Sequence, residues 1–123
     1  MADDIVVDAP QIGTIEQILA APDIGTKLLY VPEWSCNIKI RGISKREQVD
    51  IRKQAQRGNV VDAALLEGLM FIAGVEEPQF SKEHYGQLML KASGVVDRVL
   101  KEILSLSGLD QDDLEGVKIS FQG

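Results

Sequence analysis

SGVVDRVLKEILSLSGL, residues 93–109, sets the architecture that the rest of the chain must satisfy. Val95, Val96, Val99, Leu100, Ile103, Leu104 and Leu106 recur at the helical period and gather on one wide face. Asp97, Arg98, Lys101 and Glu102 fall on the other. Gly108 stands where a left-handed C-cap belongs. Arg98 with Glu102, and Asp97 with Lys101, have the i,i+4 spacing of helix-surface ion pairs, each contributing roughly 0.2–0.5 kcal/mol. A helix this short is marginal alone in water, so its apolar face must be buried against its own domain or another protein.

Working back from that helix, Ser81 is placed to cap a helix over residues 82–91, which Gly86 weakens by about 1 kcal/mol relative to Ala. Residues 74–78, containing Gly74 and Pro78, break the chain. Residues 60–73 read as a helix with Val61, Ala64, Leu65, Leu69, Met70, Phe71 and Ile72 spread around the cylinder. A helix apolar on nearly all sides is a central one. Ser44 and Glu47 have capping-box spacing, opening a mostly solvated helix that runs to Gly58 with Val49, Ile51 and Ala55 as its apolar positions.

Between residues 27 and 43 the period changes to two. Trp34, Cys36, Ile38 and Ile40 alternate with Ser35, Asn37, Lys39 and Arg41, as in a half-buried strand. Residues 28–31 form a second strand, with Pro32 and Glu33 as the turn. Such a hairpin needs helices under its apolar face. Thr14 and Gln17 are a further capping box, opening a short helix that stops before Pro22. The expected fold is mainly α with a small β-hairpin, an α+β bundle of about four to five helices. Residues 1–13 are expected to form a flexible lead-in, 14–109 a single globular domain, and 110–123 an acidic C-terminal tail. Val117, Ile119 and Phe121 alternate in that tail as a third strand would, although a tail is favoured.

Composition narrows the function classes. The chain has 123 residues, 45% hydrophobic and 26% charged, with a net charge of −6 that disfavours non-specific binding to nucleic acid or anionic membrane. One cysteine, Cys36, excludes an internal disulfide framework and fits a reducing compartment. The N-terminus lacks the positive start and apolar run of a signal peptide, and no apolar run is long enough to span a membrane. A cytosolic, soluble protein is expected.

Reactive constellations come out poorly. Cys36 and His84 are the obvious nucleophile–base pair, but Cys36 falls on the apolar face of a strand and reads as a small buried residue. One His and one Cys cannot furnish a soft zinc ligand set. Asp110, Asp112 and Asp113 approach a calcium loop, but Leu114 occupies the position of an oxygen ligand. No phosphate-binding glycine loop or nucleophile elbow is present, and nothing separates the pKa values of Glu76 and Glu77. No enzyme activity, metal or cofactor is expected. Residues 39–57 carry seven bases against Glu47 and Asp50, whereas residues 1–26 carry five acids and no base. A basic strand-and-helix unit can bind phosphates, but without interleaved aromatics it reads as a solvated face or a match for an acidic partner. Met70, Phe71, Phe80, Tyr85, Leu88, Met89 and Leu90 form an apolar surplus divided between core and docking surface.

Three segments, WSCNIKIRGISKREQVDIRKQA, ALLEGLMFIAGVEEPQF and KEHYGQLMLKASGVVDRVLKEILSLSGL, together resemble the XkdN-like family of bacteriophage tail assembly chaperones. The features are a basic strand ending at residues 41–44, a Pro-x-Phe turn at 78–80, Tyr85-Gly86, and a last helix ending in Leu-Ser-Gly at 106–108. The resemblance covers roughly residues 15–109. It implies a non-enzymatic protein of the infected host's cytoplasm, absent from the mature virion, that holds the tape measure protein soluble and recruits tail tube subunits. It carries no catalytic residues. Met70, Phe80, Tyr85, Met89, Leu90, Arg41 and Arg46 are the expected partner-binding residues, with no nucleic acid or membrane partner and with self-association open. The competing classes are a virion head–tail connector, a nucleic-acid-binding regulator using residues 39–57, and a small enzyme using Cys36 or His84.

Overall fold

The computed structural model describes residues 11–109; the expected N-terminal lead-in up to residue 10 and the C-terminal tail and its strand alternative lie outside the described residues. Within them the fold is α+β: helices assembled around a small antiparallel sheet. Helix α1 (Ile15–Ala20) opens on the Thr14/Gln17 capping box, in which Thr14 Oγ1 accepts from the Gln17 N–H and Gln17 Oε1 from the Thr14 N–H. Strands β1 (Thr26–Val31) and β2 (Cys36–Arg41) pair antiparallel from Thr26 opposite Arg41 to Val31 opposite Cys36. They are joined by a 3-10 turn over Pro32–Trp34 and by Ser35, a left-handed residue with φ 52°. Trp34 therefore sits in the turn, not in the strand.

Helix α2 (Lys45–Ala55) begins at the second capping box, with Ser44 Oγ accepting from the Glu47 N–H. It stops at Ala55, short of the expected end at Gly58. Gln56, Arg57, Val60 and Val61 instead form a tight hairpin, β3 (Gln56–Arg57) against β4 (Val60–Val61), turned through Gly58 at φ 64°. Positive φ is cheap for glycine, and the local turn therefore takes two residues from each flanking helix. Helix α3 (Ala63–Gly74) is capped by Asp62, whose Oδ1 accepts from the Leu65 N–H. It buries Leu66, Gly68, Leu69, Met70, Phe71 and Gly74, as expected of a central helix.

The segment expected to be a break continues the sheet. Strand β5 (Val75–Glu77) pairs antiparallel with β2, so the hairpin grows into a three-stranded sheet in the order β1-β2-β5. The register shifts between Lys39 and Ile40, and the Glu77–Pro78 peptide that follows is cis. The helix expected over residues 82–91 is reduced to a 3-10 turn at Lys82–His84 and the single-turn α4 (Tyr85–Leu88). After Leu88 the backbone tightens into three-residue turns, with the Leu90 and Lys91 N–H groups donating to the Gln87 and Leu88 carbonyls. Helix α5 (Ser93–Leu106) matches its sequence reading: Val95, Val99, Leu100, Ile103 and Leu104 are buried, and Gly108 follows at φ 75°.

One apolar cluster unites the fold, from Val31, Ile38 and Ile40 of the sheet through Phe71 and Leu66 of α3 to Leu100, Ile103 and Leu104 of α5. Close approaches are bought with glycine at two places. A Cβ on Gly42 would lie 2.4 Å from the Leu106 carbonyl oxygen, and one on Gly74 would lie 2.5 Å from the Ile103 side chain. The surface charges of α5 pair across the fold, not along the helix. Arg98 binds Glu33 of the strand turn, and Glu102 binds Lys27 of β1. Helix α1 contributes nothing to the core: Ile15, Ile18 and Leu19 are 71%, 65% and 80% exposed. No helix among the described residues is long and apolar enough to cross a membrane.

Candidate functional site

A concave surface lies where the 82–91 segment crosses the strand turn. Its floor is a ladder of rings in edge-to-face contact. Phe71 in α3 meets Trp34 at 6.4 Å on one side and Phe80 at 5.6 Å on the other, and Phe80 meets His84 at 5.8 Å. These are the offset geometries that aromatic quadrupoles favour. Phe71 is fully buried and backs Trp34 and Phe80, which are less buried, and Phe80 in turn meets the exposed His84. Trp34, Phe80, His84, Gln87, Leu88, Lys91 and Glu33 enclose a hollow of about 420 Å³. Lys91 Nζ stands 5.9 Å from the Trp34 ring, in cation–π range, and Glu33 faces it from the other rim while bound to Arg98. The hydrogen-bonded Arg98 guanidinium holds the Glu33 carboxyl below its ordinary value and offsets its charge.

On the far side of α4 a second hollow of about 150 Å³ is lined by Ala64, Gly68, Leu88, Met89 and Val96 among others. Leu88 and Lys91 line both, so the two form neighbouring stations along one strip. Its shape depends on Gly68. A Cβ there would lie 2.4 Å from the Tyr85 ring, so the missing side chain is what lets Tyr85 lie against α3 and hold α4 down. The Ser81 N–H donates to His84 Nδ1 at 3.0 Å, which anchors the start of the segment. His84 thus acts as a local cap, and Cys36, expected to be buried, is exposed at the end of β2 beside the strand turn. Alternation puts it on the same face as Ile38 and Ile40, yet at the first position of β2 it is exposed while its cross-strand neighbour Val31 is buried.

The expected partner residues separate under this geometry. Phe80 lines the groove; Tyr85 packs on Gly68; Met89, 37% exposed, lines the second hollow, and Leu90, next in the chain and 86% exposed, lines neither. Met70 does not join them. It is 1% exposed and belongs to the core, because α3 is surrounded on nearly every side. Arg41 and Arg46 lie elsewhere, at the junction of β2 with α2. Arg46 is exposed, whereas Arg41 is occupied by a two-pronged bond to Glu47, Nη1 to Oε1 at 2.9 Å and Nη2 to Oε2 at 2.5 Å. With the Ser44 N–H also donating to Glu47, this pair lowers the Glu47 carboxyl to about 2. The residues missed from sequence include Glu33, Trp34, Gln87 and Lys91. Trp34 was read as part of the strand, so its position in a turn beside Phe71 was hidden. Among the described residues no group of three or more His, Cys, Asp or Glu side chains is set to hold a metal. No protein-family model, no curated protein and no solved structure matches this chain.

Proposed function

We propose that this chain is a non-enzymatic assembly chaperone of a phage tail, binding the tape measure protein and passing tail tube subunits to it in the cytoplasm of the infected host. The groove over the Trp34–Phe71–Phe80–His84 ladder is the observation that carries this role. Its apolar floor and neighbouring hollows suit successive side chains of an amphipathic helix, the mode in which helices are read at i, i+3, i+4 and i+7. Lys91 and Glu33 on the rims supply polar ends for such a strip. Met89 of the second hollow and the exposed Leu90 next to it in the chain add adaptable apolar surface. The segments that resemble the XkdN-like family include every one of these residues except Glu33. Departure of the protein from the finished virion belongs to the same proposal.

Co-expression with the tape measure protein of the same genome, followed by light scattering on the soluble fraction, tests the role. A stoichiometric soluble complex is expected, and an insoluble partner with this chain eluting alone overturns it. Leu90→Glu and Met89→Glu place a carboxylate on that surface and are expected to lower partner affinity at least tenfold with an unchanged circular dichroism spectrum. Full affinity in both variants would remove the groove from the interface.

A further inference from the structure

We infer that the free edge of β1 is a self-association surface, and that two copies of this chain join their sheets there across a twofold axis. Strand β1 pairs only with β2 among the described residues, so no described strand covers its other edge. The Gly42 N–H donates to the Gly25 carbonyl at 2.9 Å, which fixes the phase of the ladder. Gly25, Lys27, Leu29 and Val31 therefore turn their backbone groups toward β2, and Thr26, Leu28 and Tyr30 turn theirs outward. The same three residues place their side chains on the outer face of the sheet. Leu28 and Tyr30 are 69% and 59% exposed there. An apolar edge strand with unpaired backbone groups is a template for another strand, and nothing in residues 26–31 blocks it: there is no proline, and Lys27, the one charge, bonds back to Glu102.

A second copy fits this edge in one register. Antiparallel pairing about an axis normal to the sheet puts Leu28 opposite Leu28 of the other copy and Thr26 opposite Tyr30 on both sides. All three outward-facing residues then lie in pairs that exchange both N–H···O bonds, so no outward amide or carbonyl of the edge is left over. Sliding by two residues one way brings Pro32, which has no N–H, opposite Thr26. Sliding the other way carries Tyr30 past the start of the strand. In the centred register the two Leu28 side chains meet on the outer face with Tyr30 diagonal to them, a favourable cross-strand cluster. The beginning of β1 in each copy then emerges beside Tyr30 of the other. The described residues before it hold the exposed Ile15, Ile18 and Leu19, with Glu16 and Asp23 and no base. They approach an outer face that carries Leu28 and Tyr30, which is complementary in polarity. This assembly does not depend on the tape measure partner.

The full chain at micromolar concentration, sized by light scattering after gel filtration, is expected to show twice the 13.5 kDa of one chain. Leu28→Lys sets two like charges face to face and is expected to run as a single chain with an unchanged circular dichroism spectrum, since Leu28 supports nothing in the core. Leu90→Lys, next to Met89 in the chain, is expected to remain paired. Amide hydrogen exchange locates the contact: the Thr26, Leu28 and Tyr30 amides should exchange at least tenfold faster in Leu28→Lys than in the wild type. A single-chain mass for the wild type overturns the inference. So does a Leu28→Lys variant that stays paired, or equal exchange at these three amides in both proteins.

Discussion

Arg41 and Glu47 show how one pair of side chains joins two elements. Arg41 ends β2, Glu47 is the third residue of α2, and their two-pronged bond closes the corner that Gly42, Ile43 and Ser44 turn. The Glu47 carboxyl is held near 2, chiefly by the Arg41 hydrogen bond and against the opposing pull of its partial burial. A depressed carboxylate contributes stability that is fully present above the ordinary carboxylate range and is lost as pH falls toward 2. Glu47→Gln is therefore expected to cost about 1–2 kcal/mol at neutral pH, after allowance for solvent screening, and to flatten the loss of stability between pH 5 and about 2. Denaturant melts at several pH values check this. Equal acid slopes in both proteins would mean that other carboxylates set the limit. The capping box that positions Glu47 was legible from Ser44 and its spacing alone. That Glu47 also meets Arg41 was not, because the pairing spans a turn of unspecified angle.

At the scale of elements, α3 and α5 behave as their periodicity demands, and the connections decide the rest. Gly42 lets the β2–α2 corner touch the end of α5, where its absent Cβ would meet backbone. A carbonyl cannot swing aside as a side chain can, so Gly42→Ala is expected to cost about 1–3 kcal/mol, read as a fall in the denaturation midpoint with an unchanged slope. Gly68→Ala meets the Tyr85 ring closely and the end of Met89 at 3.4 Å, side chains that can move where a carbonyl cannot. The expected result is a folded protein in which α4 lifts from α3. Tyr85 fluorescence and partner affinity should change more than stability does, and a large stability loss with normal partner binding would show that the contact supports the core alone. Helix α4 itself was overread from sequence. Residues 82–91 have helical spacing, but His84, Tyr85 and Lys91 meet Phe80, Gly68 and Trp34 respectively, and the backbone between them tightens into turns.

For the whole molecule, stability and surface are supplied by different parts. The core runs from Val31 to Leu104, and Phe71 at its centre touches both the sheet turn and the 78–84 segment through Trp34 and Phe80. Phe71→Ala is expected to lower stability by about 3–5 kcal/mol, measured by chemical denaturation, and to disorder the groove floor at the same time. Residues 11–24 stand at the opposite extreme, with no buried side chain. In the Leu28→Lys background, where self-association is removed, a chain beginning at Ile24 is expected to melt within about 0.5 kcal/mol of the longer one. A larger loss would assign α1 a packing role in the single chain.

Which stretches form helices with a buried face, where two capping boxes start them, and that two strands of period two lie beside them can be read from the residues alone. Those are local properties: hydrogen-bonding side chains at fixed offsets and apolar residues at a fixed period act within one element. The tertiary structure decided the third strand at residues 75–77, the shortening of α2 by the Gly58 hairpin and the release of Cys36 to solvent. It also assembled Trp34, Phe80, His84 and Lys91 around Phe71. Each of these depends on which distant surface arrives beside the residue, and a backbone ladder, a ring stack or a missing Cβ takes its value only from that neighbour.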